Sequence, residues 1–273
     1  MNVPERSSID GITVWEWPGA PPDTLLMHGI GNYGRYWDLF ADAIRGRLRL
    51  VAPDARGHGD SPKPSSGYAP RDFVADAATV IDAKISGRAL VVGHSMGGFH
   101  ATALALAHPK RVSGLALVDV GPRSEPDSVG AGRARRLSLG RPDDFATEAA
   151  ALAYLRETSP GYSDAVYANR IAWVFRREGG ALVWRSSKDA LRQILETTAS
   201  RAWSEVWERL GDIDAPVLVV RGTRSASMKA EVAQRMLATL KHGSLLELEA
   251  GHNVALDQPQ ALANAIVEFA QRL

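Results

Sequence analysis

Apolar runs and the polar turns that follow them set the rhythm of this chain. Leu25-Leu26-Met27, Leu48 to Ala52, Arg88 to Val92 and Val112 to Val118 read as strands, as do Ala215 to Arg221 and the alternating Ser244 to Glu249. Phe99 to Ala107 and Gln258 to Leu273 carry helical spacing instead. Strands and helices that alternate in this way predict an α/β fold, a mostly parallel central sheet flanked by helices.

The pattern changes between about Gly121 and Gly211. Strand-like runs give way to segments rich in alanine, arginine and tryptophan, and Asp144 to Arg156, Tyr162 to Arg176 and Asp189 to Glu208 read as helices. Gly179-Gly180 separates the second of these from a short apolar piece, Ala181 to Trp184. The expected organisation is a core of residues 1–121 and 212–273 with a helical cap, 122–211, inserted between two strands of its sheet.

Gly93-His94-Ser95-Met96-Gly97-Gly98 lies where the run ending at Val92 meets the helix that follows. A strand, a tight turn and a helix in that order hold a serine hydroxyl at the top of a sheet, so Ser95 is the candidate nucleophile. His28-Gly29-Ile30-Gly31-Asn32 follows another strand and leaves backbone N–H groups near its end. In a parallel sheet this turn and the one at Ser95 emerge on one edge, which makes the N–H groups of Ile30 and Met96 candidate oxyanion donors. A serine hydroxyl needs an imidazole to take its proton, and among the seven histidines His252, in the loop Ala250-Gly251-His252-Asn253-Val254, is the best placed.

These segments resemble the α/β-hydrolase family. The likeness rests on His28-Gly29 with Trp37 a little later, Asp54-Ala55-Arg56-Gly57-His58-Gly59-Asp60-Ser61, Gly93 to Gly98, and Gly251 to Pro259. It covers about residues 10–121 and 212–273, and it implies Ser95 as nucleophile, His252 as base and the Ile30 and Met96 backbones as oxyanion donors. The acid departs from the family's commoner pattern, because Gly222 to Met228 holds no carboxylate after the strand ending at Arg221. The family's other solution places it one strand after the nucleophile, where Val112 to Val118 leads into Asp119. Asp119 either completes the triad or begins a turn before Gly121-Pro122, and Ser225 is expected in the vacated position, hydrogen-bonding near His252.

The inserted region is where this family places a lid. His28, Trp173 and Trp184 are candidate pocket residues; the alternatives are turn packing for the histidine and the lid's own core for the tryptophans. Trp203 and Trp207 lie in the same region. Arg133, Arg135 and Arg136 either meet an anionic substrate or form a solvated face. Asp54, Arg56 and His58 fit a strand-to-helix connection better than chemistry.

Composition narrows the function classes. The chain of 273 residues has 45% hydrophobic content and balances 32 basic against 31 acidic side chains, so no global field draws it to nucleic acid or an anionic membrane. With no cysteine it has no disulfide, thiol nucleophile or thiolate metal site, and neither a dinucleotide fingerprint nor a Walker loop is present. No cofactor and no metal are expected. Met1 to Asp10 lacks the apolar core of a secretion signal, which makes the cytoplasm the default. The expected activity is a serine hydrolase acting on a small-molecule acyl ester or lactone, as a monomer or small homo-oligomer. The alternatives are carbon–carbon hydrolysis, perhydrolysis or lyase chemistry on the same scaffold, or a ligand-binding receptor with little turnover.

Overall fold

The structure, a computed structural model, describes residues 3–122, 129–197 and 200–273. Its strands are β1 (Glu5–Ile9), β2 (Ile12–Trp17), β3 (Thr24–Met27), β4 (Leu50–Pro53), β5 (Ala89–His94), β6 (Val112–Val118), β7 (Asp144–Phe145), β8 (Phe175–Glu178), β9 (Ala181–Trp184), β10 (Val217–Gly222) and β11 (Gly243–Leu248). The helices are α1 (Asp38–Ile44), α2 (Pro70–Lys84), α3 (Met96–Ala107), α4 (Val129–Leu139), α5 (Glu148–Thr158), α6 (Asp164–Val174), α7 (Lys188–Thr197), α8 (Arg201–Glu208), α9 (Ala230–Thr239), α10 (Val254–Asp257) and α11 (Pro259–Ala270).

Eight strands form the central sheet in the order β1-β2-β4-β3-β5-β6-β10-β11. From β4 onward every neighbouring pair is parallel, and the antiparallel β1-β2 hairpin closes one edge. Strands buried on both faces need unbroken apolar sequence, and every residue of β3, β4 and β5 is buried. Helices α1 and α11 cover one face of the sheet, while α2, α3, α8 and α9 cover the other. The β1-β2 hairpin went unread in the sequence. Its signal is Asp10-Gly11, which turns with φ of 49° and 84°, the left-handed pair that a tight two-residue hairpin needs.

The stretch between β6 and β10 departs from the helical expectation. It contains a second sheet of three strands, β7-β9-β8. Tyr162 to Arg176 does not continue as one helix, because α6 ends at Val174 and the chain reverses through β8, Gly179-Gly180 and β9. The two glycines take φ of 57° and 89°, so they make a hairpin turn rather than only breaking a helix. Asp144 to Arg156 divides in a similar way: β7 comes first, then Thr147 accepts a hydrogen bond from Ala150 N–H and starts α5. Asp189 to Glu208 splits into α7 and α8.

Helix α8 packs on the main body. Trp203 stacks on Phe99 of α3 with ring centroids 3.4 Å apart, and Trp207 lies beside the same ring. These tryptophans belong to the core of one sheet face, not to a cap interior. Among the described residues no helix is long and apolar enough to cross a membrane.

Candidate active site

The turn after β5 holds Ser95 at φ 52° and ψ −119°, a conformation that costs an L-residue about 1–3 kcal/mol and persists only where its surroundings enforce it. They do so here through close packing: a Cβ on Gly97 would lie 2.1 Å from the Met27 carbonyl oxygen, and one on Gly93 would lie 2.5 Å from Gly98 Cα. Helix and strand therefore meet backbone to backbone, and the serine projects from the corner between them. Ser95 N–H donates to Val118 O at 3.1 Å, which ties the corner to the end of β6.

Asp119 leaves β6 at that point, also in the left-handed region with φ 50°, and its N–H donates to Val220 O at 2.7 Å. Its side chain is fully buried. Oδ1 accepts the Gly222 N–H at 3.0 Å, and Oδ2 accepts the Ser225 hydroxyl at 2.5 Å. The carboxylate is thus fixed from both sides before it meets the histidine. Ser225 lies after β10 and donates to Asp119 Oδ2, the same oxygen that meets His252.

His252 closes the arrangement. Its Nδ1 lies 2.7 Å from Asp119 Oδ2 and its Nε2 lies 3.0 Å from Ser95 Oγ. A ring nitrogen against a carboxylate carries the proton, which leaves Nε2 as an acceptor for the serine hydroxyl. Three further bonds hold the loop: Gly251 N–H to Asp257 Oδ2 at 2.6 Å, Asn253 Nδ2 to the Tyr162 hydroxyl at 2.8 Å, and His94 Nε2–H to the His252 carbonyl at 2.8 Å. His94, from the Ser95 turn itself, therefore joins nucleophile and base loops directly.

The loop after β3 presses against the same corner, since a Cβ on Gly29 would lie 3.3 Å from Ser95 Cβ. Met96 begins α3, so its N–H lacks an intrahelical acceptor, and the Ile30 N–H has no backbone acceptor among the described residues. Two donors next to the helix N-terminus suit an oxygen that becomes negative.

Two buried histidines brace that loop. His28 donates from Nδ1 to Gly29 O at 2.8 Å and accepts the Ala55 N–H on Nε2 at 3.0 Å. His58 donates from Nδ1 to Arg56 O at 3.0 Å and accepts the Gly31 N–H on Nε2 at 2.9 Å. Burial pushes the His28 ring down to about 4 and the His58 ring well below its ordinary value, so both stay neutral and able to give and take one hydrogen bond each. His28, expected to line the pocket, is 1% exposed with both nitrogens occupied, and it acts as a brace. Asp54 has a similar part, accepting the N–H groups of Gly34 and Asp60 at 2.6 and 2.8 Å.

A model of the alpha/beta hydrolase family matches residues 24–265. The chain belongs to the α/β-hydrolase family. The chain is 30% identical to a protein named as a 3-hydroxybutyrate-oligomer hydrolase from Cupriavidus necator, over 92% of this chain and 89% of the relative. It is 28% identical to an esterase of Mycobacterium tuberculosis, over 96% of this chain and 87% of that protein. Among solved structures it resembles E-2-(acetamidomethylene)succinate hydrolase with a TM-score of 0.85 and 27% identity, covering 98% of this chain and 99% of the other.

The tryptophans expected in the pocket are occupied within the inserted stretch or at its base. Trp184 donates from Nε1 to Pro142 O at 2.8 Å and packs on Phe175 with centroids 4.5 Å apart. Trp173 meets Trp15 edge-on at 5.0 Å and lies under the Arg35 guanidinium at 4.3 Å. Arg135 and Arg136 are exposed, and the Arg133 side chain lies outside the described residues. What the sequence reading missed is the apolar patch beside the corner: Met96 and Ile30 cluster with Tyr68, Phe73, Ala190 and Ile194. The spacing of Ala190 and Ile194 on α7 carried that signal.

Proposed function

We propose that the protein is a serine hydrolase that cleaves a carboxylic ester or lactone through an acyl-serine intermediate, with 122–211 as a cap over the site. The observation that carries this reading is the continuous chain from Ser95 Oγ to His252 Nε2 at 3.0 Å and from His252 Nδ1 to Asp119 Oδ2 at 2.7 Å. Relatives named as an esterase and as a 3-hydroxybutyrate-oligomer hydrolase support the same choice.

In the proposed reaction Ser95 Oγ attacks the carbonyl carbon and its proton passes to His252 Nε2. Asp119 holds the ring in the productive tautomer and stabilises the imidazolium. The carbonyl oxygen, now an oxyanion, is received by the N–H groups of Ile30 and Met96. Collapse breaks the carbon–oxygen bond to the alcohol, which takes the proton from His252 and leaves an acyl group on Ser95. Water then enters, gives a proton to the same nitrogen and attacks the acyl carbon; the second tetrahedral intermediate breaks its bond to Ser95 Oγ, which takes the proton back from His252 as the carboxylic acid leaves. The His252 side chain is 35% exposed, which leaves the ring within reach of that water.

Ser95→Ala tests the reading. Turnover of 4-nitrophenyl acetate is expected to fall by about 10⁴-fold or more while the thermal melt stays in place. Undiminished turnover in the purified variant would overturn it.

A further inference from the structure

Among the described residues Arg141 is a cation with no carboxylate paired to it. It follows α4 and is 5% exposed, yet no carboxylate lies within ion-pair distance of its guanidinium among the described residues. Nη1 donates to Ser186 Oγ at 2.9 Å, Nη2 donates to Ser186 O at 2.7 Å, and the guanidinium carbon lies 4.2 Å from the centre of the Trp184 ring. These contacts use part of a five-donor fork and cancel none of its charge. Burial pulls Arg141 down to about 10, which still leaves it protonated at neutral pH. The nearby Lys188 contacts the Arg141 carbonyl at 3.2 Å and is already paired with Asp143.

A buried, unpaired charge is costly, and a fold that keeps one generally has a counter-ion to supply. Ser187, next to the serine that Arg141 grips, donates its N–H to Gly57 O at 2.9 Å. Gly57 precedes His58, which holds the Gly31 N–H beside Ile30, and the Arg141 charge is among those that keep the His58 ring neutral. Arg141 is thus fastened to the segment that runs into α7, whose Ala190 and Ile194 cluster with Ile30 and Met96, while Trp184 lies against its guanidinium. A planar guanidinium fork matches a carboxylate.

We propose that Arg141 recognises a carboxylate on the substrate, so that the preferred substrates are esters carrying a free carboxylate on the acyl or alcohol side. This rests on the serine-hydrolase reading of the site and adds the substrate class to it.

The test compares two esters of similar size, the 4-nitrophenyl hemiester of succinic acid and neutral 4-nitrophenyl butyrate, on wild type, Arg141→Gln and Arg141→Lys. Wild type is expected to favour the hemiester in kcat/KM by about tenfold or more. Arg141→Gln should lose about 100-fold on the hemiester, chiefly through KM, and stay within about threefold on the butyrate. Arg141→Lys, which keeps the charge but not the fork, should fall between them. Competitive inhibition of the wild type by succinate but not by succinamide gives a readout that needs no variant. Equal losses on both esters would overturn the proposal, as would a wild type that is indifferent to the carboxylate and to succinate. In either case, retained butyrate turnover leaves the serine-hydrolase reading standing. If neither ester is cleaved and Ser95 resists a fluorophosphonate, that reading falls and takes this one with it.

Discussion

The sheet edge that carries Ser95, Asp119 and His252 and the stretch between β6 and β10 are built in contrasting ways. At the sheet edge, backbone touches backbone, Asp119 is held from two sides, and two positions accept left-handed strain. The inserted stretch shares apolar packing with the main body, as where Trp203 and Trp207 meet Phe99, and is further tied to it by exchangeable polar bridges. Tyr33 donates to Asn169 at 2.7 Å, Asn169 donates to Asp38 at 2.7 Å, Asn253 donates to Tyr162 at 2.8 Å, and Arg185 pairs with Asp60. A geometry fixed by packing changes little when one surface residue changes, whereas polar bridges can be exchanged one at a time. The difference suits a division in which the edge performs the chemistry and the inserted stretch selects what reaches it.

That division is testable by asking whether a change acts on all substrates alike. The largest effect is expected from Asp119→Asn, which keeps the shape but favours the wrong histidine tautomer. It should lower kcat by about 10⁴-fold on short and long esters equally, measured by steady-state rates. A loss confined to one substrate would break the division.

Acidification comes next and acts on the buried histidines. Burial lowers His28 to about 4 and His100 to about 3, and holds His58 and His94 well below the ordinary value. The unfolded chain takes up a proton on each ring as pH falls through about 6.5. The folded chain does not, so stability is retained above that pH and lost below it. Each ring removes about 1.4 kcal/mol per pH unit until it protonates in the native state. Urea melts between pH 7.5 and 4.5 should show a midpoint that drops steeply below pH 6.5; a flat profile would contradict the neutral burial of these rings.

Ser225→Ala should be milder. It removes a donor from Asp119 Oδ2 but leaves the Gly222 N–H and His252 in place, so a loss of about tenfold in kcat is expected on every ester, with KM little changed. The smallest effect on chemistry is expected from Asn169→Ala, which removes bridges to Tyr33, Asp38 and the Arg35 carbonyl. Stability should fall by about 1–3 kcal/mol in a denaturant titration, while kcat on a short ester stays within about twofold. A large kcat loss would show that the inserted stretch also shapes the chemistry.

The same contrast explains what was legible in the sequence. Gly93 to Gly98 could be read because a strand-to-helix corner with an exposed serine leaves no room for Cβ atoms at fixed offsets, and glycine spacing is visible in a single chain. Val112 to Val118 and the residue after it were equally plain, since a strand buried on both faces has unbroken apolar sequence. The β8-β9 hairpin is hidden in the sequence because Arg176-Arg177-Glu178 has no apolar alternation to interrupt the helical spacing before it. The place of Trp203 and Trp207 is not legible, because periodicity says that a helix has an apolar face without saying which partner covers it. His28 and Arg141 mark the deeper limit. Whether a histidine lines a pocket depends on where the Ala55 N–H lies, and whether an arginine is paired depends on which carboxylates fold near it.

The central claim is that Ser95 is the nucleophile, made reactive by His252. Intact-mass analysis and peptide mapping after treatment with a fluorophosphonate test it most directly. One covalent adduct on Ser95 is predicted, with its formation slowed by at least about 100-fold in His252→Ala. Ester turnover that continues with Ser95 unlabelled, or an adduct on another residue that abolishes turnover, would contradict the claim.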